Sequence, residues 1–372
     1  MAGRLSRSIG GEFPISPDAL LPELLESLHP LFSSGREALA AIVNRVGRAG
    51  DRWLAPEFTC PVVPETLRAC GMNPVPYRWI TPWDPDQEDV RRQCRDAAGV
   101  IVPFYMGWHP DPSIWNLLER ESLCVVEDRC QCVGPPKLSE IRGHYAIGSY
   151  RKWLPVPDGA YCMSRRGPAP IPDDREGSRM ADLRLAGAVV KHSVCAALDA
   201  ESGEMPESKD RERMTAEAER IYFRLFLLAE NLVSLPSGRR RAIRLSELLI
   251  RAADVAAIRE RRMSNQRHLA RLLVDNPSVS VLNPNTGVAA AREPLLALPV
   301  LVKARDSLRQ RLMSRGILCD IHWKDGDWSG RGERAAAWAE GVLSLPIDQR
   351  YNLMDMDRIA EALRIEVSGV AR

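Results

Sequence analysis

Val125-Val126-Glu127-Asp128-Arg129-Cys130-Gln131 and, about twenty residues further on, Ser149-Tyr150-Arg151-Lys152 are the two stretches that decide how this chain is read. The first is an apolar run ending in carboxylates, the pattern of a short strand buried on both faces. The second reads as a strand or turn that delivers a serine and a lysine to the same side of a sheet. Upstream of them, 53–55, 74–77, 100–103 and 123–127 are apolar enough for strands. Helical patterns run over 62–70 and 114–121. Short apolar strands alternating with helices predict an α/β fold with a mostly parallel central sheet covered on both faces.

Outward from this core, residues 1–30 read as an arm and a helix, with Pro14 and Pro17 ahead of Leu20, Leu21, Leu24, Leu25 and Leu28. A turn at Ser33-Ser34-Gly35 opens a second helix through Ala38, Leu39, Ile42 and Val43. Residues 199–220, highly charged and broken by Ser202-Gly203 and Pro206, read as an exposed loop leading into a helix from Ile221 to Leu232. From Leu245 to Leu273 the pattern is one long helix or two in series. From Val279 on the chain reads strand, strand (298–302), helix (304–315), strand (318–322), helix (335–340), strand (342–345) and helix (354–363), a smaller α+β layer. The expected division is 1–30 for the arm and helix, 31–240 for a large domain, and 241–372 for a small C-terminal domain with its connecting helix.

The chain has 372 residues, 45% of them hydrophobic and 27% charged, and 51 basic residues against 49 acidic ones leave a formal charge of +2. That balance gives no reason to expect a nucleic acid or an anionic membrane as partner. Nine cysteines without regular spacing read as reduced thiols of a cytoplasmic protein. Cys130 and Cys132 have no second pair at zinc-site spacing, so no structural metal is expected.

An aspartate, a glutamine, a serine and a lysine in this order suit pyridoxal 5'-phosphate (PLP), an electron sink that needs a lysine for its Schiff base and an acid beside its pyridine nitrogen. Trp153 and Leu154 would desolvate the Lys152 ammonium; alternatively the lysine is a solvated cation at a sheet edge. Asp128 either pairs with the pyridinium or caps a helix, and Gln131 either donates to the ring's phenolic oxygen or lies at the surface. Ser149 is a phosphate contact or a turn serine. Ser34 and Gly35, at a helix start, form an anion site or a plain cap, and Arg36 adds charge to that site or solvates the first turn. Phe58 lies near the cofactor's face or in the core. His322 and Trp323 either face substrate or are buried. Arg239, Arg240 and Arg241 read as a solvated face, unless one of them binds a substrate anion.

Together these segments resemble the fold type I PLP-dependent aminotransferases of the DegT/DnrJ group, which includes sugar aminotransferases. Ser34-Gly35-Arg36-Glu37-Ala38-Leu39 is similar to that family's Ser-Gly-Thr-x-Ala-Leu phosphate turn. Pro56 to Thr59 resembles its Pro-x-x-Thr segment, and 126–131 its Ile-Glu-Asp-Ala-Ala-Gln strand end. Residues 148–159 resemble its lysine loop, and Leu343-Ser344-Leu345-Pro346 its Leu-Ser-Leu-Pro element. The resemblance implies Lys152 as the Schiff-base lysine, Asp128 as the pyridinium partner, Gln131 as the ring-oxygen contact, and Ser34, Gly35, Arg36 and Ser149 as the phosphate cup. It also implies a homodimer acting on a small-molecule amino donor and a keto acceptor. A lyase, decarboxylase or oxidase on the same cofactor, or a non-catalytic descendant, remains open. The chain departs from the pattern where a glycine-rich run after the lysine becomes 153–159, and where Asn-Tyr-Arg becomes Ala242-Ile243-Arg244. Arg244, His322 and Trp323 are the candidate substrate contacts.

Overall fold

The computed structural model describes residues 31–81, 83–174, 179–200, 208–231, 236–282, 293–323 and 332–368. The helix expected within 1–30, the breakers Ser202-Gly203 and Pro206, and Leu232 lie outside the described residues.

Helix α1 (Gly35–Val46) starts where Ser34, in an extended conformation, accepts the Glu37 amide on its hydroxyl, and it buries Ala38, Leu39, Ile42 and Val43 along one face. Then follow β1 (Arg52–Pro56), α2 (Val62–Ala69), β2 (Asn73–Tyr77), a ribbon of β3 (Trp79–Thr81) and β4 (Asp84–Pro85), and α3 (Gln87–Cys94). After them come β5 (Gly99–Pro103), α4 (Ser113–Leu118), β6 (Cys124–Asp128), β7 (Tyr145–Ser149) and β8 (Ala160–Ser164). Six of these strands form one sheet in the order β2-β1-β5-β6-β7-β8, parallel except for β8, which returns antiparallel to β7. The α/β class expected from the alternation is the observed one. The ribbon, α3 and β8 went unread, for physical reasons. The turn that starts α3 is held by Asp86, whose carboxylate accepts the Asp89 amide at 3.0 Å, and its only apolar side chains are Val90 and Cys94.

Helices α5 (Arg179–Ala200) and α6 (Ser208–Asn231) pack on each other as a hairpin. The charged stretch expected as a loop up to residue 220 is therefore helical from Ser208 onward: its Lys, Arg and Glu residues are good helix formers, and Glu217 pairs with Arg220 one turn on. The pattern over 245–273 resolves into two helices, α7 (Arg244–Ala252) and α8 (Val255–Leu273), because Asp254 accepts the Ala257 amide at 2.9 Å and restarts the helix.

The C-terminal layer contains β9 (Val279–Val281), β10 (Leu298–Val302), α9 (Arg305–Ser314), α10 (Glu333–Gly341), β11 (Val342–Leu345) and α11 (Leu353–Ser368), its three strands antiparallel in the order β11-β10-β9. The strand expected over 318–322 is reduced to a single bridge between Asp320 and Ser344. Ser344 donates to the Asp320 carbonyl at 2.9 Å, while the Cys319 carbonyl, on the other side of the segment, accepts from Arg309 of α9 at 2.8 Å. Among the described residues no helix is long and apolar enough to cross a membrane.

Two apolar clusters cover the faces of the large sheet. Val126, Ile101 and Ile147 pack under α1, whereas Val125, Val100 and Val102 pack on the opposite face with Ile114, Trp115 and Leu118 of α4. Side chains alternate along a strand, so Asp128 shares the α1 face with Val126, and Glu127 shares the other face with Val125. Ser149 shares the face of Ile147. A third cluster joins Phe58, Tyr105 and Trp108 to the C-terminal layer.

Candidate functional site

Because β1, β5, β6 and β7 are parallel, the segments after β1 and β5, Asp128 at the end of β6 and Ser149 at the end of β7 lie along one edge of the sheet. From β1 the chain passes to β2 on one side, and its neighbour on the other side is β5, so the strand order reverses there. Open α/β sheets bind ligands outside the carboxyl ends of their strands at such a reversal.

The first turn of α1 meets this edge. A Cβ on Gly35 would stand 2.7 Å from the Cys130 sulfur, so the helix can approach the strand end this closely only with glycine at the position. Arg36 reaches to 3.9 Å from Glu65 of α2. The Cys60 thiol, after β1, is raised by burial, and three charges also act on it: Lys152 lowers it, Asp128 raises it, and Arg36 lowers it. The neighbouring Cys130 thiol is held well above its ordinary value by burial and by Asp128, against the pull of Lys152. One lysine, one aspartate and one arginine, far apart in the chain, therefore lie within electrostatic range of the same sulfur.

Asp128 accepts the Cys130 amide on Oδ1 at 3.0 Å, an Asx-type turn rather than a helix cap. Beyond Asp128's contacts with the Cys130 amide and thiol, Asp128, the Ser149 hydroxyl and the Lys152 ammonium form no hydrogen bond or ion pair among the described residues. Gln131 is buried; its Oε1 accepts the Met106 amide at 2.6 Å, which settles the orientation of the amide group, and leaves Nε2 buried without an acceptor among the described residues. A stranded donor of this kind is costly unless a further group meets it.

The adjacent carboxylate does something different. Glu127 is fully buried, accepts Arg142 and Gly143 amides at 2.5 and 2.7 Å, and pairs with Arg129 at 2.7 Å. The Arg129 guanidinium lies 4.1 Å from the centre of the Phe104 ring. Both oxygens of Glu127 are thus used in holding the loop before β7.

Lys152 stands in a short 3-10 turn, Tyr150–Lys152, that follows β7. The residue after it is clamped. Gln349 donates to the Trp153 carbonyl at 2.6 Å, Arg262 of α8 donates to Gln349 at 2.8 Å, and the Arg262 guanidinium lies 4.3 Å from the centre of the Trp153 ring. Burial lowers Arg262 to about 10, which leaves it cationic at neutral pH. The arginine-rich face of the 245–273 pattern gave no hint of this, because one inward arginine is indistinguishable by spacing from its solvated neighbours.

His322 feels the same lysine: partial burial, then the charge of Lys152, push it down to about 3, and its Nδ1 is 2.8 Å from the Ser344 hydroxyl. Phe58 is buried between Tyr105, Trp323 and Trp338, with ring centres 5.4, 5.4 and 5.7 Å away. It is a core residue at the wall of the site. Glu57 accepts the Trp79 and Gly332 amides at 3.0 and 2.6 Å, seating the start of α10 on the end of β1. Arg244 pairs with Glu247 at 3.3 Å, alongside Arg241 at 3.0 Å. The run Arg239-Arg240-Arg241, expected as a solvated face, is a solvated cation only in part: Arg240 and Arg241 pair with the buried carboxylates of Glu37 and Glu247. Glu37 also accepts the Gly238 amide at 2.7 Å, tying this segment to α1.

No family model matches the chain, and no curated protein matches its sequence. Solved structures do match its fold. PseC of Helicobacter pylori, an aminotransferase involved in the biosynthesis of pseudoaminic acid, superposes with a TM-score of 0.65 at 14% identity, over 98% of this chain and 100% of that one. A DegT/DnrJ/EryC1/StrS aminotransferase of Brucella abortus gives 0.59 at 18% identity, over 95% and 91%. NtdA of Bacillus subtilis, solved with bound cofactor PMP, gives 0.62 at 15% identity, over 91% and 73%. The chain has the fold of these aminotransferases, a fold type I α/β architecture.

Proposed function

We propose that this chain is a PLP-dependent aminotransferase that moves an amino group from an amino-acid donor to a keto or aldehyde acceptor. The observation that carries the proposal is the placement of Asp128, at the end of β6, and of Lys152, in the turn after the neighbouring parallel β7, on the carboxyl edge of the sheet, within electrostatic range of the same Cys60 thiol as Arg36. The shared fold with aminotransferases, one of them solved with PMP, supports it. The residues present fit the cofactor: the stranded Gln131 Nε2 calls for an acceptor, the Asp128 carboxylate is met only by the Cys130 amide and thiol, and the Ser149 hydroxyl is without a partner among the described residues.

Ser34, Gly35, Arg36 and Ser149 would hold the phosphate, with the α1 N-terminus adding its dipole. Asp128 would hold a proton on the ring nitrogen, Gln131 would donate to the ring oxygen, and Lys152 would hold the aldehyde carbon. When bound, the cofactor supplies the electron sink that stabilises charge at the substrate's alpha carbon. Lys152 Nζ would move the proton between that carbon and the cofactor as general base and then acid. Neutral His322 and Trp323 would face the acceptor, and Arg244 would contact a substrate anion. A keto sugar is one acceptor class that suits the neighbours' chemistry. The proposal includes a homodimer in the cytoplasm, in line with the free thiols among the described residues.

The test is absorbance. The purified protein is expected to show a band near the visible edge that borohydride fixes covalently to the peptide containing Lys152, that fades with an amino-acid donor and returns with a keto acid. A Lys152→Ala protein should show no fixation. A wild-type protein with no such band after incubation with PLP, or with a band that no amino acid alters, sinks the aminotransferase reading.

A further inference from the structure

A pocket opens at the opposite, amino edge of the large sheet, between the residues after α4, the loop into β7 and the exit of β8. It is a cavity of about 100 Å³ whose charged lining is Glu119, Glu121, Arg142, Arg165 and Arg166, with His144 beside them. Val125, on its wall, precedes Asp128 by three residues, roughly 10 Å along the strand, and lies at the other end of it. The pocket is thus separate from the site built around Lys152.

Its charges are not all available. Glu119 is held by Arg142 at 2.9 Å, and Arg165 donates to the Arg142 carbonyl at 3.1 Å. The Arg166 side chain has no partner among the described residues. Setting the Glu119–Arg142 pair aside, Arg165 and Arg166 face one carboxylate, Glu121, which leaves the lining one positive charge in excess. His144 adds a directed donor. The Val125 amide donates to its Nδ1 at 3.1 Å, which places the ring proton on Nε2, the nitrogen turned away from the strand. Burial, then Arg166 and Arg165, hold this imidazole below its ordinary pKa and therefore neutral. The loop that presents it is already fixed, because Glu127 accepts the Arg142 and Gly143 amides.

We propose that this pocket binds a small oxyanion, a phosphate or a short carboxylate, held by the Arg166 guanidinium and by the Nε2–H of His144. An arginine fork matches two oxygens of such an anion, and a neutral imidazole donor takes a third contact without a change of protonation. Drug-sized ligands occupy pockets of roughly 300 Å³ or more, so the size favours the anion alone over a nucleotide. The proposal does not depend on what binds at the other edge.

The experiment uses the full chain labelled with 15N-histidine, titrated at constant ionic strength with inorganic phosphate and, in a separate arm, with malonate. His144 is assigned through a His144→Gln protein. A saturable displacement of the His144 Nε2 signal is expected in at least one arm, and the responding arm identifies the anion. Arg166→Ala, a change at an exposed position, should weaken that binding at least tenfold, and Arg36→Ala, at the far edge, should leave it unchanged. Failure of both anions to displace the signal overturns the proposal, and so does saturation by glycine alone or equal affinity in Arg166→Ala. Loss of binding in Arg36→Ala would place the anion at the Lys152 site and overturn it as well.

Discussion

Asp158 offers a measurable consequence of how the loop after Lys152 is held. It is 1% exposed and accepts the Ile243 amide on Oδ2 at 3.1 Å. Burial raises its carboxyl from 3.8 to about 7, against the opposing influence of the Ser246 hydroxyl, the Ile243 amide and Arg184, and with Glu247 adding to the rise. A carboxyl that binds its proton more tightly folded than unfolded favours the folded state in acid. That contribution is whole below about pH 4, and is lost as pH rises through about 7. At 1.36 kcal/mol for each tenfold change in proton affinity, the ionised form costs the folded protein about 4 kcal/mol above that range. Asp158→Asn keeps an acceptor for Ile243 and removes the charge. Urea unfolding of both proteins from about pH 5.5 to about pH 8.5 should find the variant more stable at the alkaline end, with the gap narrowing steadily on acidification. A gap independent of pH, or a wild type more stable at the alkaline end, would refute the reasoning.

Other substitutions test the site's construction. Gly35→Ala should lower stability by roughly 1–3 kcal/mol through the clash with Cys130, and adding Cys130→Ala should recover much of it in thermal melts; simple additivity would mean the two do not touch. Arg262→Met removes the clamp on Trp153 and should lower kcat with an amino-acid donor by roughly tenfold to a hundredfold, with Trp153 fluorescence altered; an unchanged kcat would show that Lys152 needs no such support. Glu57→Gln places an amide against the Trp79 and Gly332 N–H groups and should cost roughly 1–3 kcal/mol, read out as faster proteolysis near the start of α10. Unchanged proteolysis would remove Glu57 from the seating of that helix.

What could be read from the chain before folding was whatever depended on local order. Strands such as 298–302 and 342–345 were legible because their apolar runs are bounded and continuous. The Asp128 to Lys152 spacing was legible because both sit beside strand ends. What escaped depended on distant partners. Arg240 and Arg241 pattern as surface residues, and become counter-charges only because Glu37 and Glu247 are folded against them. Arg262 lies in a helix rich in arginine, and nothing in its spacing marks it as the one beneath Trp153. The stretch 318–322 is apolar enough for a strand, yet it pairs with β11 only through the single bridge of Asp320 and Ser344.

Pleat alternation also explains why two adjacent carboxylates have opposite fates. Glu127 points to the α4 face, where the loop before β7 supplies two amides and Arg129 supplies a guanidinium, so its charge is fully matched by the protein. Asp128 points to the α1 face, where it is met by the Cys130 amide and thiol and lies near Lys152. A slip of one residue in β6 that carried Glu127 into the position of Asp128 would bury it among the thiols and put Val126 opposite the loop amides, leaving them without an acceptor. The register of this strand is therefore held most firmly by Glu127, whose two oxygens meet two loop amides and the Arg129 guanidinium.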